Sequence, residues 1–265
     1  METQIRQPAV AGMFYPANAD ELQQMIDEYL QEARQNLSGK ESVPHAIIAP
    51  HAGYIYSGPV AASAYARIMP AHDKFKRVLL LGPSHRVAFY GLATSSASHF
   101  ITPLGSIPLD RAAIEQLETL TQVKRLDQAH ALEHSLEVHL PFLQTVLDSF
   151  TLVPLVVGDA DPHAVDEVIE QLWDEQTLVV ISSDLSHYHD YATAKQLDSA
   201  TSKAIEMLQP ESIEYGDACG RNPLNGLLEF AKQHGLTAST VDLRNSGDTA
   251  GPRDQVVGYG AYLIQ

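Results

Sequence analysis

The chain has 265 residues, 45% of them apolar and so sufficient for a sizeable core, with 33 acidic against 17 basic residues and a net charge of −16. Phosphate backbones and anionic lipid surfaces both demand a positive face, so neither nucleic acid nor a membrane is an expected partner. No apolar run approaches the roughly 18–20 residues that span a bilayer, and a lone cysteine, Cys219, leaves no internal disulfide.

The opening stretch, METQIRQPAVAGMFYP, lacks a long apolar segment behind basic residues, so no signal peptide and a cytoplasmic location are expected. Asn18, three residues before Glu21, predicts a cap for a helix over 19–35. HAIIAP (45–50) reads as a buried strand, GPVAASAYARIM (58–69) as a small-residue helix and RVLLLGP (77–83) as the next strand. YGLATS (90–95) predicts a further strand and DRAAIEQLETL (110–120) a helix capped by its aspartate. SLEVHLPFLQTVLD (135–148) is amphipathic, with Pro141 in its first turns. Then come strand 151–158, a helix over 161–174 with Asp161 as cap and Pro162 at the first helical position, and strand 177–184. Helices are expected over 192–208 and 223–234, and closing strands near 237–244 and 256–264. No flexible linker or repeat divides the chain, so a single α/β domain over 1–265 is expected, layered around a mixed sheet. In such sheets ligands bind beyond the carboxyl ends of the strands.

His51 and His85 stand at two such ends, each within two residues of a proline that helps to stop its strand. Either histidine alone reads more readily as a loop residue satisfied by carbonyl groups; a rigid strand end suits an imidazole that holds a metal, and the parallel placement of the two brings that reading level. Asp184 and His187, three apart just past a strand, suggest a carboxylate that orients an imidazole for general acid–base work; Asp184 reads equally as a helix cap. In EHSLEVHLPFL (133–143) the two histidines are five apart, off the four-residue spacing of a zinc-protease helix. His134 is placed at the cleft, His139 in the core and His189 at the surface. Cys219 precedes a helix and sits beside Arg221, both of which favour a thiolate, while a lone cysteine also serves as inert packing.

GMFYP, IIAPHAGYIYSG, LGPSH, EHSLEVHLPFL, SSDLSHY, CGRNP and RNSGD…VVGYGA occur in this order across nearly the whole chain. Together they resemble the Memo family, protein B of the bacterial AmmeMemoRadiSam system. The resemblance implies a fold like that of class III extradiol dioxygenases, which hold non-haem Fe(II) with two histidines and a carboxylate. It implies His51, His85 and Cys219 as ligands of Fe(II) or Cu(I), with Zn as a further option, and Asp184 and His187 as catalytic groups bordering the pocket. Tyr54, His134 and Arg221 are placed around the same pocket. A thiolate in place of the carboxylate departs from the dioxygenase pattern and softens the site.

The function implied is that of a metal-binding, oxidoreductase-like protein of unknown substrate. An alternative is a peptide-binding adaptor using the same cleft, for which a net charge of −16 suits phosphopeptides only if Arg221 and Arg244 converge locally. A metal-dependent hydrolase is the third reading. Radical-SAM and AMMECR-type proteins are the partners the family context implies.

Overall fold

In a computed structural model, which describes residues 4–35, 37 and 42–265, the chain opens with β1 (Ile5–Arg6), α1 (Ala19–Gln35), β2 (Ala46–Ala49), α2 (Tyr54–Tyr65) and β3 (Arg77–Pro83). It continues with β4 (Leu92–Thr94), β5 (His99–Thr102), β6 (Gly105–Pro108), α3 (Arg111–Leu117), β7 (Val123–Arg125), α4 (Asp127–Ala131), α5 (Leu140–Val146) and β8 (Thr151–Val157). The last part holds α6 (Pro162–Leu172), β9 (Thr177–Ser182), β10 (His187–His189), α7 (Tyr191–Glu206), α8 (Arg221–Gln233), β11 (Ala238–Asn245) and β12 (Val256–Ile264).

Four parallel strands, in the order β2-β9-β3-β8, form the middle of a nine-stranded mixed sheet. Their apolar sequences follow from their position, since a parallel strand covered on both faces has no polar side to show. Ile47, Ile48, Leu79, Leu80, Val179 and Val180 are all fully buried. Antiparallel strands border this centre, β12 on β2 and β4 on β8. β10 and β11 pair with β12, and β7 extends β4. β1, β5 and β6 make a separate small sheet. One connected apolar core links the elements, and no helix is long and apolar enough to cross a membrane.

Register decides where the functional residues go. Ala49 pairs with Ser182, and Ile181 pairs with Leu81. The chain therefore leaves β2, β9 and β3 side by side at one edge, and adjacent strands lie only about 4.8 Å apart.

Most expected elements are present, with instructive shifts. Asn18 does cap α1, accepting the Glu21 amide at 3.1 Å. α2 starts at Tyr54 rather than Gly58, because the Tyr54 amide is anchored on the Phe14 carbonyl at 2.7 Å, and Pro59 falls inside the helix. The stretch 135–148 is not one helix: a 3₁₀ turn at Glu137–His139 precedes α5, which Pro141 opens. β1, β5, β6, β7, β10 and α4 were not expected, since two to five residues are too few for a hydrophobic period to show.

The 3₁₀ turn carries a buried anchor. Glu137, wholly inaccessible, accepts from Arg6, the Ala9 and Val10 amides and the Tyr15 hydroxyl. Arg6 also donates to the carbonyls of His130 and Glu133. This cluster pins the segment before α1 onto the loop that carries His134.

Candidate metal centre

His51 follows β2, Asp184 follows β9 and His85 follows β3, so the carboxyl-edge rule brings them to one cleft of about 790 Å³. The His51 and His85 rings lie 5.1 Å apart between centroids. His134 completes the cluster at 5.4 Å from His51 and 4.5 Å from His85. One ring nitrogen from each of the three lies within 4.8 Å of the others, close enough to share an ion.

Hydrogen bonding fixes which nitrogens are free. Ser182 Oγ lies 2.6 Å from the Ser135 carbonyl, which can only accept, so its single proton points there. Ser182 Oγ must then accept from His51 Nδ1, 2.6 Å away. His51 Nδ1 is protonated, and Nε2 carries the lone pair. The same logic holds for His85, whose Nδ1 donates to Glu133 Oε1 at 2.8 Å. Both imidazoles thus turn an unprotonated Nε2 outward, the state a metal ion requires, and each has the outer hydrogen bond that orients metal-binding histidines.

The electrostatics agree. Burial, reinforced by the neighbouring imidazoles, holds His51 well below the ordinary histidine range. Burial and His85 bring His134 down to about 4. Glu133, 1% exposed, is held at about 2: burial opposes its charge, but the His85 ring and the His85 and Ser135 amides outweigh burial. The donor set therefore fits a divalent or monovalent transition metal, with neutral imidazoles backed by an anionic carboxylate.

Cys219 Sγ stands 3.3 Å from His51 Nε2. Gly220 allows this approach, since a β-carbon there would fall 2.4 Å from the Ser182 carbonyl oxygen. Burial, with the Asp184 carboxylate nearby, pushes the thiol above its ordinary range, so without a cation it is a neutral S–H; a bound metal would displace that proton. Burial likewise pushes Asp184 up to about 6, against the His51 amide that bonds its carboxylate.

Several expectations need correction. Asp184 does not orient His187: its Oδ1 accepts the His51 amide at 2.7 Å, and His187 Nδ1 bonds instead to the Leu185 carbonyl at 2.7 Å. A carbonyl two residues back is reached by a tight local turn, whereas Asp184 points into the strand-end loop. His187 still lines the cleft with Tyr188 and His189. Tyr188 has φ +60°, at the point where the β10–β12 register shifts; that left-handed residue breaks alternation and turns three successive side chains to the cleft. Tyr54 is a core residue, 2% exposed, whose hydroxyl donates to the Val138 carbonyl. Arg221 turns away to stack 3.9 Å over the Tyr215 ring and to bond Asn222. Arg244 pairs with Asp242. Glu133 is the buried partner of His85 that sequence reasoning passed over; its only signal was an acid followed directly by a histidine.

Residues 6–263 match the family model described as Memo-like protein. A MEMO1 family protein of Aquifex aeolicus is 37% identical, over 96% of this chain and 97% of its own. MEMO1 family proteins of Saccharolobus solfataricus and Archaeoglobus fulgidus are each 34% identical, the latter over 98% of this chain and 100% of its own. Identity at this level over nearly full length, on a chain whose motif histidines meet in one cleft, means that the chain belongs to the Memo family.

Proposed function

We propose that the chain is a redox protein binding one iron or copper ion, resembling the non-haem dioxygenases, with His51 and His85 as ligands. The observation that carries this reading is the pair of Nε2 lone pairs, fixed by Ser182 and Glu133 and aimed into one cleft. Cys219 and His134 are the two available third donors. When bound, such an ion supplies one-electron and O₂ chemistry. The chain's own residues do the rest. Glu133 and Ser182 hold the ligand tautomers. His187 donates Nδ1–H to the Leu185 carbonyl, which leaves its Nε2 to take a proton at the cleft wall. Asp184, poised near 6, can hold or release a proton beside it. Phe14, Tyr56, Tyr188 and Tyr259 give the cleft an aromatic lining that suits a small apolar substrate.

The adaptor reading loses its main support, because no lysine or arginine lines the cleft among the described residues. A zinc hydrolase keeps one specific observation in its favour, the three-histidine set. Radical-SAM and AMMECR-type proteins are proposed as partners on the family resemblance alone.

Metal analysis of protein purified without oxygen separates these readings: stoichiometric iron or copper supports the redox protein, zinc the hydrolase. Titration under nitrogen then tests the ligands. His51→Ala and His85→Ala should each lower affinity at least tenfold while unfolding stays cooperative. Wild-type affinity in both variants would remove the metal centre.

A further inference from the structure

A second set of metal-type donors lies away from the cleft, on the seam between α6 and α8. His163 and Asp166 stand three apart on α6 and so share one face of the helix. Glu229 reaches them from α8, and one donor atom of each of the three lies within 4.8 Å of the others. The two helices meet closely because Gly226 has no side chain: a β-carbon there would fall 2.3 Å from Val165. Backbone packing, rather than the side chains themselves, thus sets the spacing of the donors.

Two features separate this set from an ordinary solvated cluster. Asp166 is only 5% exposed, yet neither it nor Glu229 pairs with a lysine or arginine among the described residues. A buried carboxylate without a cation is costly, and a second carboxylate beside it raises that cost. Its one nearby positive candidate, His163, is mostly exposed and 3.7 Å away. Gln233, one turn beyond Glu229, then bridges the pair: its amide nitrogen donates to Asp166 Oδ2 at 3.0 Å and lies 3.4 Å from Glu229 Oε1. A neutral amide orients both carboxylates and leaves their charge uncompensated.

We propose that His163, Asp166 and Glu229 form a second metal site, which takes a divalent first-row transition ion and ties α6 to α8. One imidazole and two carboxylates match the mixed nitrogen and oxygen preference of Zn²⁺, Mn²⁺ and Co²⁺. The exposure of His163 leaves the remaining positions to water. The ion neutralises Asp166 and Glu229 together, and it bridges two helices that otherwise meet through packing, the Gln233 amide and the His234–Glu170 pair at the end of α8. The site shares no residue with the cleft, so it stands or falls independently of the redox reading.

Zinc is the probe. Full-length protein is stripped with a chelator and titrated calorimetrically with Zn²⁺, as wild type, as His163→Ala, as Glu229→Gln and as the double cleft variant His51→Ala/His85→Ala. The cleft variant should retain one zinc per chain. His163→Ala and Glu229→Gln should each lose one equivalent relative to wild type, or weaken it at least tenfold. The rise in melting temperature that excess zinc produces in the cleft variant should vanish when His163→Ala is added. Since His163 is a surface residue, its replacement keeps the test valid even if a change at Asp166 unfolds the protein. Should the cleft bind no metal, wild type itself would take one zinc and His163→Ala none, which still supports the seam site. Zinc stoichiometry and affinity unaltered by both His163→Ala and Glu229→Gln would overturn it.

Discussion

Glu133→Gln is the most informative single change at the cleft. Glu133 Oε1 accepts from His85 Nδ1 and from the His134 and Ser135 amides, while Oε2 accepts the His85 amide at 2.6 Å. Glutamine offers one oxygen and one NH₂. With its oxygen in the Oε1 position, the NH₂ confronts the His85 N–H, donor against donor; turned the other way, it confronts three donors. At best one buried N–H is left unmet, which costs about 1–3 kcal/mol, and three charge-assisted bonds become neutral ones. The ionisation of Glu133 gives a second route to the magnitude: the drop from 4.5 to about 2 corresponds to about 3 kcal/mol at ~1.36 kcal/mol per pH unit. A depressed carboxylate contributes stability that is full above its unfolded value near 4.5 and lost as pH falls through 2. Denaturant unfolding of the metal-free proteins at pH 7 should therefore show a loss of about 3 kcal/mol, or roughly 6–12 °C in melting temperature. The gap between wild type and variant should close as pH is lowered from 4.5 toward 2. Metal affinity at pH 7 should fall on the order of 10–100-fold, as for other outer partners of ligating histidines. A gap that stays constant with pH, or a variant that binds metal like wild type, would refute the role given to Glu133.

Cys219→Ser decides between the two third donors: Co(II) in the wild-type site should show a near-ultraviolet sulfur-to-metal band that the serine variant lacks, and stoichiometric cobalt without that band assigns the position to His134. Acid sensitivity tests the buried histidines outside the cleft. Burial holds His130 at about 4 and His139 at about 3. Both lie below the unfolded value of 6.5, so the stability they lend is present above pH 6.5 and lost as pH falls toward 4 and 3. Near pH 5 the metal-free chain should take up about two protons from these residues on unfolding, a slope of about 2–3 kcal/mol per pH unit; stability that is flat between pH 6 and 4.5 would contradict their burial as neutral groups.

β2, β3 and β9 were readable because each is an apolar run stopped by a proline or a polar pair, and the carboxyl-edge rule then placed His51, His85 and Asp184 together. What periodicity cannot carry is strand order. Only the insertion of β9 between β2 and β3 fixes how far apart the two histidines stand. Hydrogen-bond partners were less legible still. Asp184 and His187 have a spacing that permits contact, yet a peptide amide and a peptide carbonyl, which every sequence contains, take the places of the expected side-chain partners. Tyr54 and Arg221 show the same limit from the other side. Both sit in the right motifs, but the helix start at Tyr54 buries its ring, and the exposed Tyr215 ring draws Arg221 away from the cleft.

His51 and His85 are held by chemically different partners, and this would make them unequal ligands of any bound ion. His51 is buried and leans on a neutral hydroxyl that itself donates a hydrogen bond to the Ser135 carbonyl. His85 is more open and leans on an ionised carboxylate that also grips its backbone amide. A carboxylate on Nδ1–H raises electron density at Nε2 more than a hydroxyl does, so His85 is the stronger donor and His51 the more rigid one. Rigidity at His51 comes with Cys219 at its Nε2, where a thiolate would compensate for the weaker imidazole. Donor strength at His85 comes with exposure to the cleft, through which an ion would have to enter. Were an ion to bind here, the open His85–Glu133 pair would be the first to meet it and the buried His51 would fix its position.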